Sequence, residues 1–129
     1  MKNYIFSLLI FILVSFASAS CKAQDTSNVR NDITVSQLKK QMKADTNLVI
    51  LDVRTKEELT GKLPKIKSAI NIPLQELEKK IDELNQYKNK KIAVICRSGH
   101  RSSLAYVILQ KHGYNVENVL GGMKAYLGK

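Results

Sequence analysis

The sequence has 129 residues and a formal net charge of +10, and 44% of its residues are hydrophobic and 25% charged. The length suits one domain, because typical domains contain about 100–150 residues, and the composition excludes a disordered or fibrous chain. The excess of positive charge leaves a nucleic acid, a membrane surface and small anions as candidate partners.

The N-terminus has the pattern of an export signal. Lys2 precedes an apolar segment, Ile5–Phe16, and small residues at 17–20 lead to Cys21. A positive start, a short apolar segment and a small-residue cleavage site are typical of signal peptides. The segment is also shorter than the ~20 residues that a membrane span needs.

Two cleavage sites fit this pattern. An ordinary signal peptidase would cut after Ala19, whereas residues 18–21 resemble a lipobox, in which the cut precedes Cys21 and the cysteine is lipidated. An uncleaved anchor is a third alternative. The lipobox is favoured, and it predicts a signal peptide at 1–20, a flexible tether at 21–31 and a folded domain at 32–129. The domain would then be exported and anchored to a membrane, on the periplasmic or cell-surface side.

Export and lysine placement narrow the choice of partner. The lysines are scattered along the chain rather than clustered, which is typical of solvated surfaces, and an exported protein does not meet nucleic acid. We therefore expect no nucleic acid partner, and a membrane partner through the anchor at Cys21. With Cys21 lipidated, Cys96 has no partner for an internal disulfide.

From residue 33 onward, predicted strands alternate with predicted helices. Apolar runs at 48–53 and 92–95 fit strands buried on both faces, and Ser36 is a candidate N-cap. Apolar residues at every third or fourth position predict one amphipathic helix at 74–84. The predicted strands are 33–35, 48–53, 69–72, 92–95 and 116–120, and the predicted helices are 36–43, a short one opened by the capping box at 55–58, 74–84, 101–112 and 123–127.

This alternation predicts an α/β fold with three layers. A mainly parallel central sheet of about five strands would carry helices on both faces. Sites in such folds form beyond the carboxyl ends of the strands. Asp52 and Cys96 both lie at predicted strand ends, which makes them candidate site residues.

Cys96 is the candidate nucleophile. It ends a buried strand and leads through a short loop into a helix, with Gly99 permitting a tight curve and Arg97 and Arg101 adding positive charge. Converging backbone N–H groups and the helix N-terminus favour an anion at the sulfur. The alternative is an inert cysteine buried at a strand end. The surrounding glycine and arginines favour a reactive thiolate.

The chain resembles the rhodanese family in four motifs that follow one another in order. The motifs are Leu51-Asp52-Val53-Arg54 with Glu58-Leu59 and Gly61, then Ala69-Ile70-Asn71-Ile72-Pro73-Leu74, then Cys96-Arg97-Ser98-Gly99-His100-Arg101-Ser102, and finally Leu120-Gly121-Gly122-Met123 with Ala125-Tyr126. Together they span about residues 48–127. Three features depart from the usual pattern: Lys62 replaces a histidine after Gly61, the stretch at 64–67 is longer than usual, and Tyr126 replaces a common tryptophan.

The resemblance implies a rhodanese-like fold and a sulfurtransferase that works in two steps. Cys96 takes the outer sulfur of an anionic donor such as thiosulfate as a persulfide, and a thiol or cyanide then removes it. A protein that accepts sulfur is a further candidate partner. No metal or organic cofactor is implied.

The resemblance also assigns roles around the loop. The substrate-binding residues are expected to be Arg97, Ser98, Gly99, His100, Arg101 and Ser102. Arg101 is expected to position the donor, Arg97 to steer it from the rim, and the backbone N–H groups to stabilise the sulfur. Asp52 and Arg54 are expected to form a supporting ion pair. His100 is either a substrate contact or a solvent-facing residue.

Two other functions compete with sulfur transfer. Related phosphatases and arsenate reductases use a roomier Cys-x5-Arg loop, whereas only four residues separate Cys96 from Arg101, so the loop suits a sulfur atom better than a phosphate. The second competitor is a non-catalytic binding or sulfur-delivery module. Retention of Cys96 and both arginines favours the enzyme.

Overall fold

Five parallel strands form one sheet in the computed structural model, which describes residues 29–129. The strands are β1 (Asp32–Ile33), β2 (Val49–Asp52), β3 (Ile70–Asn71), β4 (Lys91–Ile95) and β5 (Asn115–Val119). Their order in space is β1-β5-β4-β2-β3, and every neighbouring pair is parallel. The predicted signal peptide and Cys21 lie outside the described residues. The predicted α/β fold with a parallel five-stranded sheet is confirmed.

In residues 29–129, four α-helices and two 3₁₀ helices accompany the strands, and the last helix follows β5. The α-helices are α1 (Val35–Ala44), α2 (Leu74–Leu77), α3 (His100–Lys111) and α4 (Gly122–Tyr126), and the 3₁₀ helices are Glu57–Leu59 and Ile81–Tyr87. Between residues 29 and 129, no helix combines the length and the apolar character needed to cross a bilayer.

Hydrophobic side chains cover both faces of the sheet. One core cluster joins alternate residues of β2 and β4 to α2, α3 and the second 3₁₀ helix; its members include Leu51, Leu77, Leu84, Val94 and Leu109. The other joins the opposite face to α1, α4 and the segment before β3; its members include Leu38, Ile50, Ile66, Ile95 and Met123. Burial on both faces explains why β2 and β4 are continuous apolar runs.

The start of α1 differs from the prediction. Thr34 was expected inside a strand and Ser36 at the cap, but Thr34 is itself the N-cap and β1 ends at Ile33. The Thr34 hydroxyl accepts a hydrogen bond from the Gln37 amide at 3.2 Å, and the Gln37 side chain accepts one from the Thr34 amide at 2.7 Å. This reciprocal capping box satisfies two amides at once, which a cap at Ser36 would not do.

The single helix predicted at 74–84 is wrong. Helix α2 ends at Leu77, Lys80 leaves the helical region with φ −109° and ψ 15°, and a 3₁₀ helix begins at Ile81. The break frees the Ile81 carbonyl oxygen, which accepts a hydrogen bond from the Tyr114 hydroxyl at 3.1 Å. A tertiary contact therefore overrides the helical periodicity of the sequence.

Candidate active site

Cys96 lies directly after β4, a central strand of the sheet, and begins the loop that leads into α3. The loop turns at Gly99, whose φ of +107° favours glycine. This turn directs the Gly99 N–H at the Cys96 sulfur, with 3.0 Å between N and Sγ. The thiol in turn contacts Ser102 Oγ at 3.6 Å, and the Ser102 hydroxyl donates to the Gly99 carbonyl oxygen.

The surroundings of Cys96 bear on whether this residue is a reactive thiol or an inert buried cysteine. The residue is only 1% exposed, as an inert buried cysteine would be. However, its sulfur contacts an amide N–H and a hydroxyl rather than only hydrocarbon, and the first amides of α3 lack partners within the helix. The sulfur therefore accepts a hydrogen bond from the Gly99 amide close to the start of α3, a setting that an inert cysteine packed only in hydrocarbon would lack.

Helix α4 holds the loop from its other side. The Met123 amide donates to the Cys96 carbonyl oxygen at 2.8 Å, and the Lys124 amide donates to that of Arg97 at 3.0 Å. Gly122 makes this close approach possible, because a Cβ atom there would lie 2.4 Å from the Cys96 oxygen. The carbonyl oxygens of Cys96 and Arg97 are thus both bonded to amides of α4.

Asp52 and Arg54 form an ion pair beneath the site. Both side chains are fully buried, at 0% and 1% exposure, and Nη2 of Arg54 lies 2.7 Å from Oδ2 of Asp52. Nη1 of Arg54 donates a hydrogen bond to the carbonyl oxygen of Leu63 at 2.6 Å. The pair therefore links the end of β2 to the segment before β3, without contacting the sulfur.

Arg101 is paired with Glu58, which the sequence placed in a capping box and in a family motif but not among the candidate site residues. Its two terminal nitrogens each bond one carboxylate oxygen of Glu58 at 2.6 Å. This hydrogen bonding to Arg101 lowers the pKa of Glu58 to about 2. Arg101 was expected to position the donor, but its guanidinium is engaged by Glu58, and the pair braces the start of α3 against the 3₁₀ helix at Glu57–Leu59. Two residues 43 apart in sequence give no local signal that would have predicted this contact.

The rim of the loop is open to solvent. Arg97, Ser98 and His100 are exposed, and His100 begins α3. Beside Arg97 lies a cleft of about 180 Å³. The cleft is lined by Arg54, Glu58, Gly61, Lys62, Leu63 and Arg97. An anion entering it would meet the loop at its positively charged side.

The sequence and the fold are similar to those of known proteins. The model of the Rhodanese-like domain matches residues 34–129, so the chain belongs to the rhodanese-like domain family. Curated relatives include YtwF of Bacillus subtilis (strain 168), provisionally named a sulfurtransferase, which is 35% identical over 76% of this chain and 91% of YtwF. Thiosulfate sulfurtransferase PspE of Escherichia coli (strain K12) is 39% identical over 57% of this chain and 69% of PspE.

Not all relatives have the same length as this chain. YrkF of Bacillus subtilis (strain 168), provisionally named a sulfur carrier protein, is 39% identical over 76% of this chain, but the match spans only 51% of YrkF. Among solved structures, a rhodanese-related protein from Thermoplasma volcanium is 36% identical and superposes with a TM-score of 0.67, covering 76% of this chain and 91% of that one. The chain is therefore similar in both sequence and fold to rhodanese-like proteins, some of which are named sulfurtransferases.

Proposed function

We propose that the protein is a sulfurtransferase that carries sulfane sulfur on Cys96. The observation that carries this proposal is the Gly99 N–H directed at the Cys96 sulfur at 3.0 Å. This amide stabilises negative charge on the thiolate, and it can do the same for the persulfide that replaces it. The similarity to PspE supports thiosulfate as the class of donor.

The reaction has two displacement steps. In the first, the Cys96 thiolate attacks the outer sulfur of thiosulfate, a new S–S bond forms, and the donor's own S–S bond breaks with its electron pair leaving on sulfite. The product is a Cys96 persulfide anion. In the second, cyanide or a thiolate attacks the outer persulfide sulfur, the Cys96 S–S bond breaks with its electron pair returning to Cys96, and thiocyanate or the persulfide of the acceptor leaves. No electrons are lost or gained from outside, because each step exchanges one nucleophile for another.

Intact mass spectrometry tests this proposal directly. Residues 22–129, which lack Cys21, are incubated with thiosulfate and compared with the same protein carrying Cys96→Ala. We expect the unaltered protein to gain the mass of one sulfur atom and the variant to gain none, because Cys96 is then the one thiol present. Cyanide should remove the added mass and release thiocyanate. Absence of the mass gain in the unaltered protein would contradict the proposal.

Sulfur delivery to a protein is the second candidate function. The similarity to YrkF, provisionally named a sulfur carrier protein, favours it. The two functions differ in the acceptor, not in the role of Cys96. A persulfide that forms readily but is released to cyanide and small thiols only slowly would favour delivery to a protein.

We also propose that the protein is exported and anchored through lipid on Cys21. The proposal rests on the sequence pattern of residues 1–21. Cells expressing the full chain are labelled with a fatty acid analogue, and we expect label on the protein and none on Cys21→Ala. Cys96→Ala is the matched control and should keep the label. Equal labelling of both cysteine variants would exclude Cys21 as the lipidated residue.

A further inference from the structure

The cleft beside the Cys96 loop has two walls that come from different parts of the chain. One wall is the segment Gly61–Leu63, and the other is Arg97, the residue that follows Cys96. An anion bound between the walls would therefore lie next to the reactive loop. The question is which charges it would meet there.

Two of the charged side chains that line the cleft are already paired. Arg54 is bonded to buried Asp52, and Glu58 is bonded to Arg101. Lys62 and Arg97, in contrast, form no salt bridge with any residue in the part of the chain that the structure describes. The cleft thus presents two uncompensated positive charges, one on each wall.

The wall that carries Lys62 is held in place. Arg54 donates to the carbonyl oxygens of Glu58 at 3.4 Å and Leu63 at 2.6 Å, on either side of Lys62. The Lys129 ammonium donates to the Lys62 carbonyl oxygen at 3.0 Å. The backbone at Lys62 is therefore fixed from both directions, so its side chain starts from a defined point on the rim.

We propose that Lys62 and Arg97 form the subsite for the anionic end of the sulfur donor, and that Lys62 makes this protein select doubly charged donors over singly charged ones. The inference rests on the proposed function, because it concerns the same site. A thiosulfate dianion places two negative charges in the cleft, whereas an organic thiosulfonate places one. Lys62 therefore acts as a specificity residue, and the chemistry of transfer stays with Cys96.

Steady-state kinetics with two donors test this selectivity. Thiocyanate formation is measured with thiosulfate and with benzenethiosulfonate for the unaltered protein, Lys62→Gln and Lys62→His. Losing one exposed charge contact should raise the KM for thiosulfate about fivefold, raise that for benzenethiosulfonate less, and leave kcat within about twofold. Lys111→Gln is the control, because Lys111 is exposed at the opposite end of α3 from the loop.

The histidine variant allows the pH dependence of the KM for thiosulfate to be measured. This dependence would not change if Lys62 had only a structural role. A histidine at 62 is charged below its ordinary pKa of about 6.5 and neutral above it. Lys62→His should therefore approach the KM of the unaltered protein for thiosulfate at pH 5.5 and that of Lys62→Gln at pH 8. The same KM in Lys62→His at both pH values, or equal effects on both donors, would overturn the assignment.

Binding without turnover separates this inference from the proposed function. Thiosulfate is titrated into Cys96→Ser and into the double variant Cys96→Ser/Lys62→Gln by calorimetry, which needs no sulfur transfer. We expect about fivefold weaker binding in the double variant. Equal affinities would reject the role of Lys62 even if Cys96 forms a persulfide. A missing persulfide with a clear loss of affinity would reject the proposed function and leave the anion subsite standing.

Discussion

At the scale of single residues, the chemistry of the site depends on groups that surround Cys96 rather than on its exposure. The residue is almost completely buried, yet the Gly99 amide and the Ser102 hydroxyl both contact its sulfur. The Gly99 amide donates a hydrogen bond to the sulfur, and the thiol lies 3.6 Å from Ser102 Oγ, whose hydroxyl donates to the Gly99 carbonyl oxygen. Cys96 therefore has polar contacts although it is buried.

The Glu58–Arg101 pair makes the stability of the domain sensitive to acid. The hydrogen bonds that Arg101 donates to the Glu58 carboxylate hold the pKa of Glu58 at about 2, below the ordinary value of 4.5. A lowered folded-state pKa means that the stabilisation is complete above about pH 4.5 and is lost as the pH falls toward 2. Glu58→Gln should therefore lower the free energy of unfolding at pH 7. We expect a loss of only about 1 kcal/mol, because the carboxylate is partly exposed to solvent.

Urea denaturation at pH 7, 4 and 2.5 measures this effect. The difference between Glu58→Gln and the unaltered protein should shrink steadily as the pH is lowered. Glu57→Gln is the matched control on the same 3₁₀ helix, because Glu57 forms no salt bridge among residues 29–129. A difference that stays constant over the pH range would show that the Glu58 charge is not what stabilises the fold.

At the scale of elements, the loop and α4 behave as one unit. The carbonyl oxygens of Cys96 and Arg97 accept hydrogen bonds from the Met123 and Lys124 amides of α4. Gly122 lies against the loop and has a φ of +57°. An alanine there would adopt a strained backbone and would also overlap the Cys96 carbonyl group. Gly122→Ala should therefore cost about 2 kcal/mol or more and should sharply reduce the sulfur uptake of Cys96.

Gly128→Ala separates backbone strain from packing. Gly128 has a similar φ of +68°, but a Cβ atom there meets nothing within 4 Å. We expect a loss of only about 1 kcal/mol from strain and unchanged sulfur uptake. Urea denaturation and intact mass after thiosulfate treatment give both quantities. Equal sulfur uptake by the two alanine variants would mean that α4 does not position the loop.

The elements that the sequence predicted well are those buried on both faces. The apolar run at 48–53 contains β2, and the run at 92–95 coincides with all of β4 but its first residue, Lys91. Continuous hydrophobic strands are typical of a sheet that is buried on both faces. The helix predicted at 74–84 failed, since the same periodicity is satisfied by two short helices that bury Leu77 and Leu84 separately. Thr34 was missed because a cap and a strand end compete for the same β-region backbone.

At the scale of the whole molecule, the parallel sheet gathers the site. The ends of β2 and β4 are neighbours in the sheet, with Asp52 opposite Ile95, so Asp52 and Cys96 come from adjacent strand ends, as the alternating pattern predicted. What the pattern could not predict are contacts between side chains far apart in sequence. The bonds from Arg101 to Glu58 and from Arg54 to Leu63 depend on the packed fold, and they decide which cations remain available to a ligand.

The contact between the Cys96 loop and α4 also has a consequence for biosynthesis. The amides that bond the loop belong to Met123 and Lys124, so a polypeptide under synthesis lacks these hydrogen bonds until those residues have been added and have folded. Any product that stops before Gly121 would retain Cys96 but lack both hydrogen bonds to its loop. If Cys96 carries sulfur as proposed, that capacity should depend on the last residues of the chain to be synthesised, which follow all five strands.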